Sequence, residues 1–149
     1  MNPPRTQHLA RRPATDGDIP LLVQLRRETM GPHELAAGIV VCEERLLQRV
    51  MAYFEWASII LMGEQPIGLL KVVRQSLDWE LVQLQIVPAF QGRGLGTLIV
   101  QELIAEAQRA GATLRLSVLK TNPARRLYER LGFVVVAEKP AALVMQLAK

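Results

Sequence analysis

"PAFQGRGLGTLIV", residues 88–100, places Gly92, Gly94 and Gly96 within five positions. An apolar strand-like run precedes the cluster and an apolar helix-like run follows it. Glycine costs conformational entropy, so its use here implies that bare backbone is needed. The first N–H groups of a helix have no partner within it, and the helix dipole favours an anion at that end. The stretch therefore reads as a cradle for a phosphate or pyrophosphate.

Two familiar cradles fit poorly. A Walker A loop needs Gly-Lys-Ser/Thr, whereas this chain has Gly94-Leu95-Gly96-Thr97. A dinucleotide fold needs G-x-G-x-x-G and an acid near the end of the next strand, yet residues 114–119 hold none. The pattern that remains is Q-x-x-G-x-G, carried by Gln91, Gly94 and Gly96.

Working outward, residues 97–110 form an amphipathic helix with Leu98, Ile99, Leu103 and Ala107 inward, and Gly111 where a C-terminal cap belongs. Upstream, "SIILMG", "IGLLKVVR" and "WELVQLQIV" read as three strands joined by turns. Downstream, "TLRLSVL" is a strand and "PARRLYERLG" a short helix, and "FVVVAEK" and "ALVMQLA" are closing strands. Residues 9–12 form a first strand. The segment "TDGDIPLLVQLRRETM" is a helix with Thr15 and Asp18 as a capping pair. "GPH" ends it, and a second helix runs over residues 43–55. Hairpin-linked strands followed by helix-linked ones predict a mixed sheet covered by helices.

The totals are those of one ordinary globular domain: 149 residues, 50% hydrophobic and 21% charged. No run is long enough to span a membrane. The first residues lack the apolar core of a secretory signal, so the expected location is cytoplasmic. Cys42 is the only cysteine. It forms no internal disulfide and reads as a small buried apolar residue. His8 and His33 make no Cys–His pair at a readable spacing, and no metal motif is present, so no metal is expected. Residues 107–149 hold eight Lys or Arg against two acids, a net +6, while the remainder is −2. Without a basic block interleaved with aromatics, this favours a small polyanionic ligand over nucleic acid.

Taken together, "ELVQLQIVPAFQGRGLG" and "LSVLKTNPARRLYERLGF" resemble the two signatures of the GNAT superfamily of acyl-CoA-dependent N-acyltransferases. The first matches its strand, proline, pyrophosphate loop and helix start. The second matches an asparagine at a strand end and a tyrosine six residues later, followed by Gly-Phe. The strong likeness covers residues 80–133. It implies an α/β (α+β) GNAT fold: a central mixed, mostly antiparallel twisted sheet of about seven strands, with about four helices on both faces. A splayed parallel strand pair would hold acyl-CoA. The resemblance also implies a single N-acetyltransferase domain over residues 1–149, with its core at about 9–147.

By the same resemblance, acetyl-CoA is the cosubstrate. Its pantetheine arm would meet Leu84, Gln85 and Ile86. Its pyrophosphate would meet Gln91, Gly92, Arg93, Gly94, Leu95, Gly96 and Thr97. The side chains of Arg93, Arg125, Arg126 and Arg130 would face the 3′-phosphate. Asn122 would bond the pantetheine amide or cap the short helix. Tyr128 is the implied acid for the departing thiolate.

The acceptor amine is mostly protonated at neutral pH, because a lysine-like amine has a pKa near 10.4. A base is therefore needed, and Glu80 is the candidate, through a water. By simple strand alternation it shares a face with Val82, Leu84 and Ile86, where apolar neighbours would raise its pKa. His33 is an alternative base, and His33 and Glu34 lie where an amine would pass. Residues 36–41 either line an apolar pocket or pack, including against a second copy in a homodimer.

The reading is an acetyl-CoA-dependent N-acetyltransferase acting on a small-molecule or amino-acid-like amine by direct attack in a ternary complex. Cys42 carries no acyl group. A non-catalytic acyl-CoA-binding module and a protein N-terminal or lysine acetyltransferase are the alternatives. Neither nucleic acid nor membrane is an expected partner.

Overall fold

The computed structural model describes residues 9–29, 31–39 and 42–148, with His33 described in its backbone alone. Seven strands form one sheet: β1 (Leu9–Pro13), β2 (Ala57–Met62), β3 (Gln65–Gln75), β4 (Asp78–Ile86), β5 (Thr113–Leu119), β6 (Phe133–Glu138) and β7 (Ala142–Leu147). Their spatial order is β1-β2-β3-β4-β5-β7-β6. Short turns join β2, β3 and β4, which therefore pair antiparallel. A helix intervenes between β4 and β5, which pair parallel. The described residues form five helices: α1 (Ile19–Thr29), α2 (Gly31–Ala36), α3 (Glu43–Met51), α4 (Leu95–Ala110) and α5 (Ala124–Arg130).

This is the expected mixed sheet, with one helix more than the four anticipated. The addition is α2. The pair Gly31-Pro32 reads as a helix breaker, yet it begins a new helix. Proline in a first turn loses only an N–H that has no helical partner there.

Helices cover both faces. On one side, Leu22 and Leu25 of α1 and Val50 of α3 pack on Ile59 and Leu69. On the other, Ile99, Val100, Leu103 and Ala107 of α4 pack on Leu70, Val72, Leu81, Leu114 and Leu116. Leu98, expected inward, is exposed, and Val100 takes the inward place. Because both faces are covered, β3 is buried without a break from Ile67 to Val73. Ahead of α1, the Thr15–Asp18 pair forms as expected. The Thr15 N–H donates to Asp18 Oδ2 at 2.8 Å, and Arg12 grips the same carboxylate with two bonds of 2.9 Å. No helix among the described residues is long and apolar enough to cross a membrane.

Candidate active site

The parallel pairing of β4 and β5 is short. It runs from Asp78 opposite Thr113 to Leu81 opposite Leu116 and then stops. Beyond that point β4 stays with β3 as far as Ile86, while β5 stays with β7. The two strands splay and leave a cleft. A bulge marks where they part. Val72 faces Leu81 and Lys71 faces Gln83, so Val82 is an extra residue in β4. An inserted residue bends its strand and increases the local twist. Pro88, which has no N–H to give a neighbour, then turns the chain into a short 3-10 segment over Pro88–Phe90.

The glycine loop sits at the end of this strand. Gly92 (φ 78°) and Gly94 (φ 77°) both adopt the left-handed conformation. A Cβ on either would project into open space, the space a ligand lying against the loop would use. Gly94 is the N-cap of α4, so the unpaired N–H groups of the first turn open beside it. The loop is tied to β4 by Gln91, whose Nε2 donates to the Ile86 carbonyl at 2.8 Å.

A cavity of about 440 Å3 fills the cleft. Of the residues predicted from sequence, Leu84, Gln85, Ile86, Gln91, Gly92, Gly94, Leu95, Gly96, Thr97, Asn122 and Tyr128 line it. Arg93 and Arg125 do not. Arg93 folds back over the Phe90 ring at 4.8 Å and donates to the Ala89 carbonyl. Arg125 pairs with Glu129 one turn along α5. Gln85 is 3% exposed, and both ends of its amide lack a partner among the described residues. A buried polar group left unpaired is costly, and here it marks a surface that a ligand would satisfy. Asn122 uses Oδ1 to accept from the N–H of Ala124, the first residue of α5, at 2.9 Å.

Tyr128 is buried and packs edge-on against Phe133, ring centroids 5.8 Å apart. Burial pushes its phenol up to about 12. It lies where the cleft meets a second cavity of about 420 Å3, on the side of α1 and α3. Glu80 lines the second cavity with Tyr128, and it is exposed. The expected alternation is corrected by the bulge. Val82 switches the parity of β4, so Glu80, opposite Val73, shares a face with Gln83 and Gln85, opposite Lys71 and Leu69. The apolar Leu84 and Ile86 point to the other face.

Glu34 also lines the second cavity, where its carboxylate forms an ion pair with Arg26 at 3.1 Å. His8 and the His33 side chain lie outside the described residues. Cys42, expected buried, is exposed at the N-cap of α3 and lines neither cavity. Of residues 36–41, Ile39 lines the second cavity, while Val40 and Val41 lie outside the described residues.

Sequence reasoning missed Lys71. Fully buried in β3, it donates from Nζ to the carbonyls of Arg49, Val50 and Ala52 at 3.1, 2.8 and 2.6 Å. These are end-of-helix carbonyls of α3, so one ammonium caps the helix where its dipole is negative. The sign was in view: a lysine in the middle of the apolar run "GLLKVV" requires a buried partner.

A family model described as an acetyltransferase (GNAT) domain matches residues 44–135, more than half of the chain. The chain belongs to the GNAT family. The seven-stranded mixed sheet with its single parallel pair is the GNAT fold. Its likeness to the crystal structure of the PaiA N-acetyltransferase from Thermoplasma acidophilum, in complex with coenzyme A, covers 95% of this chain and 99% of that one. The TM-score is 0.74 at 16% identity.

Among curated relatives, the [ribosomal protein bS18]-alanine N-acetyltransferase of Haemophilus influenzae is 43% identical over 54 residues, 36% of this chain and 37% of that protein. The L-methionine sulfoximine/L-methionine sulfone acetyltransferase of Salmonella typhimurium is 40% identical over 55 residues, 36% of this chain and 32% of that protein. The chain thus matches only about a third of the length of these two relatives. One is named for a protein acceptor and the other for small molecules.

Proposed function

We propose that this GNAT chain is an acetyl-CoA-dependent N-acetyltransferase that acetylates a primary amine on a small-molecule or amino-acid-like acceptor. Direct attack in a ternary complex avoids any acyl-enzyme, in keeping with the position of Cys42 away from both cavities. The observation that carries this reading is the parting of β4 from β5 beside a helix start with bare glycines, and Tyr128 at the junction of the two cavities. One sheet runs from Leu9 to Leu147, which supports a single domain over residues 1–149.

The residues fit an acyl-CoA. The Gly92–Gly94 loop leaves open space against backbone N–H groups, as a pyrophosphate requires. The open flank of β4 at Leu84, Gln85 and Ile86 offers backbone groups to an extended arm bearing amides, and the unpaired Gln85 side chain offers more. When bound, acetyl-CoA supplies an activated thioester. A backbone N–H of β4 near Leu84 or Gln85 is the donor for the charge that develops on its oxygen.

Two groups of the chain handle protons. Glu80, in the second cavity, accepts the proton of the incoming ammonium, through water. Tyr128 donates a hydrogen bond to the departing sulfur. With a phenol at about 12 against ~8.5 for a free thiol, the proton stays largely on the phenol until desolvation makes the sulfur more basic. An unburied phenol would have its ordinary value near 10.

Release of free thiol from acetyl-CoA, followed across amino acids, polyamines, aminoglycosides, arylalkylamines and peptides, tests the reading. Turnover concentrated in one small-amine class is expected. Turnover of N-terminal or lysine peptides above every small amine would favour a protein acetyltransferase. Saturable acetyl-CoA binding with no turnover of any amine would favour the binding module.

A further inference from the structure

The second cavity also carries information on the acceptor, and the inference rests on the acetyltransferase reading just given. Its polar lining is lopsided. Arg26 of α1 and Glu34 of α2 are 5% and 2% exposed and neutralise each other at 3.1 Å. Arg26 Nε and Glu34 Oε2 are both buried without a hydrogen bond among the described residues and lie within the same ion pair, while Gln83 on β4 keeps a buried Nε2 with no partner among them. Arg49 of α3 and Lys139, beyond β6, line the mouth of the same cavity as exposed cations, and neither makes an ion pair among the described residues. Lys120, near Lys139, is already held by Glu138. Against the Arg49 and Lys139 cations stands Glu80, a carboxylate with no ion pair among the described residues.

A cavity whose unpaired charges are mainly positive is complemented by a ligand that carries an anion, and the buried Gln83 amide, costly to leave unpaired, calls for an acceptor beside it. A polyamine or basic peptide would bring more donors and more positive charge to Arg49 and Lys139. A ligand carrying only an amine would satisfy Glu80 and leave the remaining donors unpaired. We propose that the acceptor of this site carries a carboxylate as well as its amine. Arg49 and Lys139 bind the carboxylate, and the Gln83 amide completes the donor set. The amine then lies on the Glu80 and Tyr128 side, where the cavity opens into the acyl-CoA cleft. The balance of the transfer is ordinary. A C–N bond forms and the thioester C–S bond breaks. The primary ammonium gives up two protons, one of which ends on the thiol while the other leaves to solvent.

The test pairs each amino acid with its decarboxylated amine: phenylalanine with phenethylamine, and methionine with 3-(methylthio)propylamine. Thiol release is measured alongside calorimetric binding of the same compounds to the protein saturated with CoA. At least one amino acid should exceed its amine tenfold or more in kcat/KM. In the Arg49→Gln, Lys139→Gln double variant this preference should collapse through KM, while acetyl-CoA binds as before. Equal or better turnover of the decarboxylated amines or of lysine peptides would overturn the proposal. So would a preference that survives the double variant. Binding separates the two levels of the argument. Amino acids that bind in an Arg49-dependent manner without turnover would sink the acetyltransferase reading and leave the carboxylate site standing. If no amino acid binds or turns over, the carboxylate site falls as well.

Discussion

Replacing Gly68 by alanine should damage the stability and the acyl-CoA cleft of this GNAT chain together. Gly68 lies in β3 opposite Ile86, at the end of β4 that borders the cleft. A Cβ there would stand 2.4 Å from the Gln85 carbonyl oxygen, 3.1 Å from Ile86 Cδ1 and 3.3 Å from Ile60 Cδ1. The two side-chain ends can yield by a few tenths of an ångström. The carbonyl belongs to the backbone, and a comfortable carbon–oxygen contact of about 3.3–3.6 Å requires it to retreat by roughly 1 Å. Overpacking of this kind costs about 1–3 kcal/mol. Against it stands a gain of about 0.4–1 kcal/mol from stiffening the unfolded chain. At the midpoints, about 2 kcal/mol of steric cost against about 0.7 kcal/mol of gain leaves a loss of about 1.3 kcal/mol, and at roughly 2–4 °C per kcal/mol this lowers the melting temperature by about 3–5 °C. The retreat also moves Gln85 and Ile86, which line the cleft, so acetyl-CoA affinity falls with stability. Differential scanning calorimetry and isothermal titration with acetyl-CoA read the two effects. A variant that melts within a degree of the parent and binds acetyl-CoA equally well would refute the claim that β3 and β4 are held in fixed contact there.

Other expectations concern groups elsewhere in the fold. Lys71→Met removes the donor to the carbonyls of Arg49, Val50 and Ala52 at the end of α3 and should destabilise by about 1–3 kcal/mol in denaturant titrations. Burial lowers the Lys71 ammonium to about 8, so the parent should gain stability as pH rises from about 8 towards 10.5, a slope the variant lacks. The Arg12 guanidinium holds the Asp18 carboxyl down at about 2. Its contribution is present above about 4 and lost as pH falls towards 2, and Asp18→Asn should flatten that part of an acid-melting curve. Tyr128→Phe should cut kcat by about a hundredfold or more, with acetyl-CoA affinity nearly unchanged. In the parent, the phenol at about 12 predicts no tyrosine inflection near pH 10 in the rate profile.

What could be read in the sequence was local. The glycines, Pro88 and the Asn122–Tyr128 spacing declare their roles within a few residues, and most of them line the cleft. The parity of Glu80 could not be read, because it depends on a bulge at Val82 that arises only against β3. Nothing within "ELVQLQIV" marks which residue will be extra. Lys71 was visible as an anomaly, but its acceptors lie 19 to 22 residues away and take shape only when α3 packs on the sheet. The resemblance puts Arg93 and Arg125 at the phosphates, but each has a nearer partner within its own turn of chain, Phe90 and Glu129. The second cavity draws Arg26, Arg49 and Gln83 from α1, α3 and β4 and Lys139 from the connection between β6 and β7, with no shared motif to announce them.

The central claim is that the glycine loop at the start of α4 holds acetyl-CoA. The most direct test compares acetyl-CoA titrations of Gly94→Ala and Gly111→Ala. Both glycines have positive φ, 77° and 72°, and a Cβ on either would meet nothing within 4 Å. The backbone strain is therefore matched, and only Gly94 lines the cleft. The account predicts that Gly111→Ala binds acetyl-CoA like the parent while Gly94→Ala loses at least tenfold in affinity. Equal affinity in the two variants, or no acetyl-CoA binding by the parent, would contradict it.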